Sequence, residues 1–394
     1  MSGAFVSSHC YFIGTSLRRD AISSHFLAIG QELMKRGHQT VIIAPPGHSP
    51  PHFTSDGLQI LSWPSKRPTR MTDALFLWRL INRHEPDCLI ANFATVNWMC
   101  ALGWVSRVAC RIAWYHTLST QIDSDTNLSP HRRRMLRFRK RFIYGCATHL
   151  VTNSQAALED SCRTFGIPRE KCKVWRNSLA DPARSLELRA GANREDVLVC
   201  AGRFDRTKGQ DVLIDAIGLC GGELSSTVIE FLGSGPTLDL VRHKVSQQGL
   251  WKHCAFRGTV SHEEVLRRMS CAKLTVVPSR AEAFGLVNIE SMSMGTPVIA
   301  SRVDGIQEIV RDGIDGYLVP PDDPAALAEK LVALLQNPTL RQEMGQSARS
   351  RFTTVYEQSK VVSSLADWLE KITPPLSRSP ERPYTALSVH GNRG

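Results

Sequence analysis

Short apolar runs alternate with helical patterns along most of this chain, which is the pattern of a parallel sheet covered by helices on both faces. In the first helical pattern, Ile22, Phe26, Ile29 and Leu33 recur at the spacing of one helix face. One apolar run before it and five after it predict strands at residues 10–14, 40–44, 88–91, 112–115, 150–152 and 174–175. We therefore predict a doubly wound, Rossmann-like α/β domain over residues 1–182.

The same alternation restarts after a polar, charge-mixed stretch at residues 181–194, which we interpret as a linker. A second Rossmann-like α/β domain is predicted over residues 195–354. Its strands are expected at 197–201, 228–232, 274–278 and 297–300, and its helices at 210–219, 238–247 and 324–335. A last helical pattern covers residues 355–372, and the Pro-, Ser- and Arg-rich tail at 373–394 is expected to be disordered.

The net charge of the chain indicates what kind of partner it binds, and its cysteines indicate the redox state of its compartment. A formal net charge of +11 indicates an anionic partner, which could be a phosphorylated ligand, a nucleic acid or a membrane surface. The eleven cysteines include no CxxC pair and no zinc-binding spacing, so no metal site is predicted. We interpret them as buried apolar residues in a reducing cytoplasm.

An uncharged stretch at residues 88–106 is long enough to raise the question of a membrane span. It contains Asn92, Thr95, Asn97 and Gly103, so a buried strand followed by a buried helix explains it better. The N-terminus shows neither the basic nor the long apolar region of a signal peptide. We expect a cytoplasmic protein, either soluble or peripheral on the inner face of the cytoplasmic membrane.

A loop and a helix that begins near Gly285 follow the strand predicted to end at Pro278. Ligands of doubly wound sheets bind beyond the carboxyl ends of the strands, and a helix N-terminus favours phosphate. Glu290, about one and a half turns into the helix, could accept hydrogen bonds from the vicinal hydroxyls of a ribose. Glu282 precedes the helix and could reach the other side of the ligand. Two ordinary surface glutamates would be the simpler interpretation of these residues alone.

The surrounding residues favour the binding site. The segment PSRAEAFGLVNIESMSMGTPV, at residues 278–298, resembles the signature of the retaining GT-B glycosyltransferases of the glycogen-synthase and sucrose-synthase type, also called glycosyltransferase family 4 or glycosyl transferases group 1. The run ASRVDGIQEIVRDGIDGYLVPPDDP is similar to the same family. The resemblance is strong over residues 197–335 and weaker over residues 1–180.

This resemblance implies two Rossmann-like domains that face each other across a cleft, with the helix at 355–372 packed back onto the first domain. It also implies transfer of a sugar from a nucleoside diphosphate sugar to an acceptor hydroxyl with retention of configuration, without a metal or other cofactor. Glu282 would be catalytic, and the donor-binding residues would include Phe284, Gly285, Leu286 and Glu290.

The turn at residues 201–209 carries two cations, Arg203 and Lys208, between a predicted strand and a predicted helix. It is not a Walker A loop, because no Ser or Thr follows the lysine. Taken alone it could be a solvated charged turn. The family resemblance implies that both cations are catalytic, holding the donor diphosphate as the glycosidic bond breaks. Val260, in a stretch similar to the one that lies against the nucleobase, is a further donor-binding candidate.

The N-terminal domain resembles the family less closely. His116 precedes Thr117 after an apolar run, like the family's His-Thr pair, and is predicted to be catalytic and to face the donor sugar and the acceptor. Asp20-Ala21 stands where relatives often have Gly-Gly. Ala21 could still donate its amide to the donor phosphate, and Gly14 could supply flexibility.

A dense basic run at residues 131–142 has Met135, Phe138 and Phe142 on one face of a predicted helix. It could be a docked helix with a solvated basic side. It could equally attach the protein to an anionic membrane or recognise a phosphorylated acceptor.

The leading functional prediction is a retaining hexosyltransferase-type enzyme of polysaccharide, lipopolysaccharide or glycolipid synthesis in the cell envelope, with a carbohydrate or lipid-linked acceptor. A sugar-nucleotide epimerase or a phosphorylase on the same fold is an alternative. A non-enzymatic anion or nucleic-acid binder is a third, but no sequence-specific nucleic-acid motif supports it.

Overall fold

Two β-sheets, each covered by helices, organise the protein. The computed structural model describes residues 9–15, 21–46, 52–53, 58–121, 129–185 and 194–374. The first sheet has the strand order β3-β4-β2-β1-β5-β6-β7-β8, and every pair in it is parallel except β3 with β4. The second sheet has the order β11-β10-β9-β12-β13-β14 and is parallel throughout.

The described strands of the first sheet are β1 Cys10–Gly14, β2 Gln39–Ala44, β3 His52–Phe53, β4 Gln59–Ser62, β5 Cys88–Asn92, β6 Cys110–Tyr115, β7 His149–Thr152 and β8 Cys172–Val174. Those of the second sheet are β9 Val197–Ala201, β10 Val228–Leu232, β11 Cys254–Gly258, β12 Leu274–Val277, β13 Val298–Ser301 and β14 Gly316–Val319.

The described helices are α1 Ala21–Lys35, α2 Met71–His84, α3 Val96–Val105, α4 Pro130–Gly145, α5 Gln155–Phe165, α6 Pro182–Ser185, α7 Gln210–Cys220, α8 Leu238–Gln247, α9 His262–Cys271, α10 Leu286–Ser293, α11 Ile306–Ile309, α12 Pro324–Gln336, α13 Pro338–Arg351 and α14 Gln358–Ile372. A π-helical turn, Phe352–Tyr356, precedes α14. Both sheets thus have the βα alternation that the apolar runs predict.

Each face of the first sheet is covered by a different set of helices. Helices α2 to α5 cover one face, where Leu77, Met99 and Phe165 are buried in one apolar cluster. Helix α14 lies against α1 on the opposite face, where Leu365 and Phe26 share a second cluster. The last helix of the chain therefore completes the core of the first sheet, although the second sheet precedes it in sequence.

Several predicted boundaries need correction. The helix predicted at 355–372 begins at Gln358, because Glu357 has extended backbone and pairs with Leu179 in a short parallel bridge. Trp175 lies just outside β8, the strand predicted at 274–278 ends one residue earlier, and the strand predicted at 297–300 is displaced by one residue. No range was predicted for strands β3, β4, β11 and β14 or for several helices, among them α2, α5, α9 and α13.

The uncharged stretch at residues 88–106 folds as strand β5, a 3₁₀ turn at Phe93–Thr95 and helix α3, as the sequence predicts. In the described parts of the chain, no helix is long and apolar enough to cross a membrane. The predicted tail lies almost wholly outside the described residues, as does most of the predicted linker.

A buried ion pair fixes the segment that leaves the first sheet. The Asp181 carboxylate, whose side chain is 3% exposed, accepts hydrogen bonds from Nη1 and Nη2 of Arg349 at 2.8 and 2.6 Å. Nη1 of Arg349 also donates to the carbonyl of Ser293. Burial opposes ionisation of Asp181, but the bonds and charge of Arg349 outweigh it, so the pKa of that carboxyl is lowered.

We expect Arg349→Met to lower the free energy of unfolding by about 3 kcal/mol, because the buried Asp181 carboxylate loses its bidentate partner and keeps only the amide of Ala183 and a longer contact to Arg184. Adding Asp181→Asn should recover part of that loss. Urea unfolding at neutral pH measures both effects, with Arg267→Met, at an exposed pair with Glu264, as the control. Since the pKa of Asp181 is lowered, its stabilisation should be present above its unfolded value of 3.8 and lost as the pH falls below it.

Candidate active site

Two loops of the second sheet meet beyond the carboxyl ends of β9 and β12. The β9 loop ends in a short 3₁₀ turn, Arg206–Lys208, which Asp205 caps by accepting a hydrogen bond from the amide of Thr207. Gly209 follows with a φ of 66°, and a Cβ there would lie 2.0 Å from the carbonyl oxygen of Pro278. Only glycine allows this approach, which brings the β9 loop against the β12 loop.

The approach places Lys208 on Glu282. The Lys208 ammonium forms an ion pair with the Glu282 carboxylate, and both side chains are largely shielded from solvent. Arg203 differs from Lys208, because its side chain is 59% exposed. Its Nε lies 4.0 Å from the Asp205 carboxylate, which is a long distance for an ion pair. The sequence prediction named Glu282, Arg203 and Lys208 as catalytic; the structure joins the first and the last directly and leaves Arg203 open to an incoming ligand.

Helix α10 begins immediately after the β12 loop. Gly285 precedes it with a φ of 92°, a conformation that favours glycine. The first turn of the helix presents backbone N–H groups with no partner inside the helix, so it suits an anionic group. Glu290 lies further along the same helix, 7% exposed, and its Oε1 is 2.8 Å from Nε2 of His262 at the start of α9. The sequence did not identify His262 as a partner of Glu290, because only the fold brings α9 next to α10.

Phe284, Leu286 and Val260 contribute mainly to packing. Phe284 is 2% exposed and packs edge to face on Tyr356 in the core beneath α10. Leu286 packs against the same core, and Val260 packs against a second cluster that includes Leu232 and Met269. Any contact that Phe284 makes with a ligand would therefore come from its backbone.

His116 lies at the end of β6 among aromatic rings. Its ring stacks on Phe93 at a centroid distance of 4.8 Å and lies nearly parallel to Trp114 at 6.1 Å. Both of its ring nitrogens are buried and make no hydrogen bond to a described residue. Burial, together with the nearby ring of His25, lowers the pKa of His116 to about 3. The imidazole is therefore neutral at physiological pH and can accept one hydrogen bond and donate another.

Two further buried polar residues of the first domain, His25 and Asn177, were not among the predicted site residues, and His25 lies near His116. His25 is fully buried on α1, with Nδ1 2.7 Å from Oγ of Ser178 and Nε2 without a partner among the described residues. Asn177 is 2% exposed, and its Oδ1 is likewise unpaired there. Buried polar atoms are almost always hydrogen-bonded, so this cluster suits a hydroxyl-bearing ligand. His25 falls on the apolar face formed by Ile22, Phe26 and Ile29, which was the available signal.

Gly14 and Ala21 have steric roles in the described structure. A Cβ on Gly14 would lie 2.3 Å from Sδ of Met99, so the residue permits close packing at the end of β1. Ala21 is the first residue of α1 and is buried in the same cluster as Phe284 of the second domain, so the start of α1 faces the second domain. Asp20, which was expected to replace a family glycine, lies outside the described residues.

The two domains are joined by hydrogen bonds on both sides of Glu282. Nε2 of Gln121 donates to the carbonyl of Ala281 at 3.2 Å, and Oγ of Ser154 donates to the carbonyl of Ala283 at 2.5 Å. Gln121 lies in a helical turn, residues 119–121, in the segment that follows His116. The structure therefore joins Lys208 to Glu282 and ties the Glu282 loop to the segment that follows His116.

Glu308 adds a charged contact between the domains. Its Oε2 and Oε1 accept hydrogen bonds from the backbone amides of Gln155 and Ala156, both at 3.0 Å. These amides form the first turn of α5, where a negative charge is favoured by the helix dipole. The second domain thus caps a helix of the first. No group of three or more His, Cys, Asp or Glu that could hold a metal ion occurs in the described part of the chain.

Two parallel α/β domains with this site between them define the class of protein, and comparisons with known proteins give the family. The model of the family "Glycosyl transferases group 1" matches residues 189–351, and that of "Glycosyltransferase Family 4" matches residues 22–179. The chain belongs to the family 4 type of GT-B glycosyltransferases. The resemblance stated from the sequence is confirmed.

Relatives and solved structures agree with this assignment. D-inositol 3-phosphate glycosyltransferase 1 of Catenulispora acidiphila is 32% identical over 50% of this chain and 51% of its own length. The chain spans about half the length of the first curated relatives it matches. Phosphatidyl-myo-inositol mannosyltransferase of Mycobacterium leprae is 26% identical over 87% of this chain and 91% of its own.

Sucrose-phosphate synthase of Thermosynechococcus elongatus superposes with a TM-score of 0.74 at 20% identity, covering 92% of this chain and 99% of its own. The HepE protein of Anabaena, in complex with UDP-glucose, superposes with a TM-score of 0.70 at 17% identity, with the same coverage. The predicted GT-B fold, with two Rossmann-like domains facing each other, is confirmed.

We expect Glu308→Gln to weaken domain closure by about tenfold, because a neutral amide loses a charge-assisted bond and the favourable interaction with the α5 dipole. Small-angle scattering should show a larger radius of gyration than that of the unaltered protein. Glu329→Gln, at an exposed carboxylate of α12, is the control. Identical scattering from both variants would show that Glu308 does not hold the domains together.

Proposed function

We propose that this protein transfers a sugar from a nucleoside diphosphate sugar to an acceptor hydroxyl, with retention of configuration. The observation that carries the proposal is the Lys208–Glu282 ion pair beside the start of α10. The first domain also donates hydrogen bonds to the loop that contains Glu282. Family membership supports it, because the two residues match the family's conserved cation and first glutamate. Solved relatives of the same fold hold UDP and UDP-glucose.

The C-terminal domain would bind the donor nucleotide. The N-terminus of α10 and the guanidinium of Arg203 would hold the diphosphate, and the Lys208 ammonium would neutralise the charge that develops on the leaving phosphate. Glu290 would accept hydrogen bonds from the ribose hydroxyls, with His262 fixing the orientation of the carboxylate. Two cations beside the diphosphate could neutralise its charge, and we propose no metal for this step.

The cluster around His116 would bind the transferred sugar and the acceptor. A neutral imidazole can hydrogen-bond a sugar hydroxyl without competing as a cation for the diphosphate. Retention requires the acceptor to attack from the side of the leaving phosphate, whose oxygen would then receive the acceptor proton. Glu282, held between the carbonyl contacts of its two neighbours, would orient the sugar for that attack.

We propose only the chemical class of the acceptor. Relatives are named for transfer to inositol 3-phosphate and to phosphatidylinositol, and we propose a carbohydrate or lipid-linked acceptor in cell-envelope synthesis. An epimerase or a phosphorylase would use the same donor site differently. Product analysis with a labelled donor separates the three, because only a transferase moves the label to an acceptor hydroxyl.

We expect Lys208→Met to reduce donor-dependent transfer by about 100-fold or more, because an electrostatic contact to the leaving group is lost. Glu290→Gln should weaken donor binding by about tenfold or more, since a charged hydrogen-bond acceptor becomes neutral. A thermal-shift panel of nucleoside diphosphate sugars measures binding, and labelled-sugar transfer measures turnover. Lys252→Met, at an exposed lysine distant in sequence from both loops, is the control; full activity of Lys208→Met would refute the assignment.

We also propose that α4 attaches the protein to an anionic membrane at its cytoplasmic face. Met135, Phe138 and Phe142 are 60%, 75% and 58% exposed and lie on one side of the helix. Arginines at 132, 134, 139 and 141 flank this apolar stripe on both sides. The neighbouring helices α2 and α3 expose Trp78 and Trp104. Aromatic and apolar side chains bordered by arginines suit the boundary between acyl chains and anionic head groups.

Phe138→Ser should weaken binding to vesicles of phosphatidylcholine with phosphatidylglycerol, because the protein loses an apolar side chain that would insert among the acyl chains. Neutralising Arg132, Arg134 and Arg139 together should weaken it by about 100-fold, at about 1 kcal/mol for each charge near the surface. Co-sedimentation at low salt measures both. Leu240→Ser, at an exposed leucine of the second domain, is the apolar control; equal loss in that variant, or no binding by the unaltered protein, would reject the membrane assignment.

A further inference from the structure

The inner side of α4 borders a pocket that the donor site does not include. The pocket lies between α4, α5 and the segment that follows β6; it is open to solvent, and its volume of about 230 Å³ includes that open space. Its polar lining consists of the side chains of Arg133, Arg137, Lys140, Ser119 and Thr164. Three basic residues and two hydroxyl-bearing residues thus line one small pocket, together with Leu136 and Phe165.

The three cations face the pocket because of their spacing. Arg133, Arg137 and Lys140 are four and three residues apart, so they lie on successive turns of one face of α4. The exposed stripe that includes Phe138 lies on the opposite side of the same helix. The basic run therefore has two sides: one carries the exposed apolar stripe, and the other borders the pocket.

Lys140 is the most constrained of these cations. Its ammonium lies 6.0 Å from the ring centre of Tyr115 and 5.7 Å from that of Phe165, and no carboxylate of a described residue is within ion-pair distance. Burial, aided by the charge of Arg139, lowers the pKa of Lys140 to about 8. A cation that is shielded from water and held only over aromatic faces gains from an added anion.

The Asp160 carboxylate, beside the pocket, is already engaged. Asp160 accepts hydrogen bonds from Oη of Tyr115, from the amide and hydroxyl of Ser119, and from the hydroxyl of Thr164, at 2.8, 2.8, 2.6 and 3.2 Å. These bonds outweigh the burial of Asp160 and lower the pKa of its carboxyl. Asp160 thereby fixes the two hydroxyls at the pocket wall.

The segment that follows β6 contributes residues to both the pocket and the proposed active site. Ser119 lies between His116, whose ring would meet the sugar and acceptor, and Gln121, which contacts the Glu282 loop of the second domain. We propose that this pocket binds a phosphate group carried by the acceptor, and so positions the acceptor hydroxyl near His116. This inference rests on the proposed function and narrows the acceptor to a phosphate-bearing molecule.

Binding of inorganic phosphate tests the pocket by itself. All chains carry Lys208→Met, so that the donor site contributes little, and calorimetric titration is performed at constant ionic strength. Addition of Lys140→Met or Arg133→Gln should weaken phosphate binding by about tenfold or more, as a charge-assisted contact is lost. Arg169→Gln, an exposed arginine after α5, is the charge-matched control. Equal phosphate affinity in the Lys140→Met and Arg169→Gln chains would overturn the proposal.

Two further measurements separate the possible sources of the phosphate and the possible causes of failure. If the group belongs to a soluble acceptor, glycerol 3-phosphate should bind in a Lys140-dependent way; if it belongs to a lipid, only vesicles of phosphatidylcholine with phosphatidic acid should show that dependence. Absence of Lys140 dependence with both probes counts against the pocket. Thermal melting without ligand shows whether each variant folds, and Arg133→Gln provides a second test if Lys140→Met does not.

Donor binding and sugar transfer are measured separately, in chains that keep Lys208. Lys140→Met should leave the thermal shift by nucleoside diphosphate sugars unchanged, while transfer to a phosphate-bearing acceptor falls about tenfold or more. If no sugar nucleotide shifts any chain, the proposed function fails, whereas the phosphate titration still decides the pocket. A loss of donor binding in Lys140→Met would contradict the separation of the two sites.

Discussion

The close approach of two backbone loops is the constraint on which the site depends. Gly209 lets the β9 loop touch the carbonyl of Pro278, and this approach sets Lys208 against Glu282. The first domain then fixes the same loop from the other side through the carbonyls of Ala281 and Ala283. Glu282 is therefore held by neighbours from both domains, and its position depends on how the domains sit relative to each other. A site of this kind couples donor binding to domain closure.

That coupling explains why several contacts far apart in sequence lie at domain boundaries. Glu308 caps α5 across the cleft, whereas the Asp181–Arg349 pair and the Leu179–Glu357 bridge fix the two segments that connect the domains. The connecting segments are thus anchored on the second domain, while α14 is packed on the first. Relative motion of the domains would then concentrate in the few residues between these anchors, instead of being spread through the cores.

Much of this architecture could be predicted from local pattern, since buried parallel strands form continuous apolar runs. Strand β9 and helix α8 begin and end where the sequence indicated, and the Glu282–Glu290 segment was recognised from its motif. Strand β11 was missed because it is an edge strand with a polar residue, Arg257, and α13 because its sequence is mostly polar. The contacts of Glu290 with His262 and of Glu308 with α5 could not be predicted, because each joins residues that only tertiary packing brings together.

The basic run illustrates the same limit in a different way. From sequence alone, membrane attachment and recognition of a phosphorylated acceptor were alternatives for one cluster of arginines. The helix geometry makes the two proposals compatible, because Phe138 and Lys140 lie on opposite sides of α4. A helix whose outer face meets a membrane and whose inner face binds phosphate would hold an acceptor at the lipid surface. The segment from His116 to Gln121 would then place that acceptor beside a donor held by the second domain.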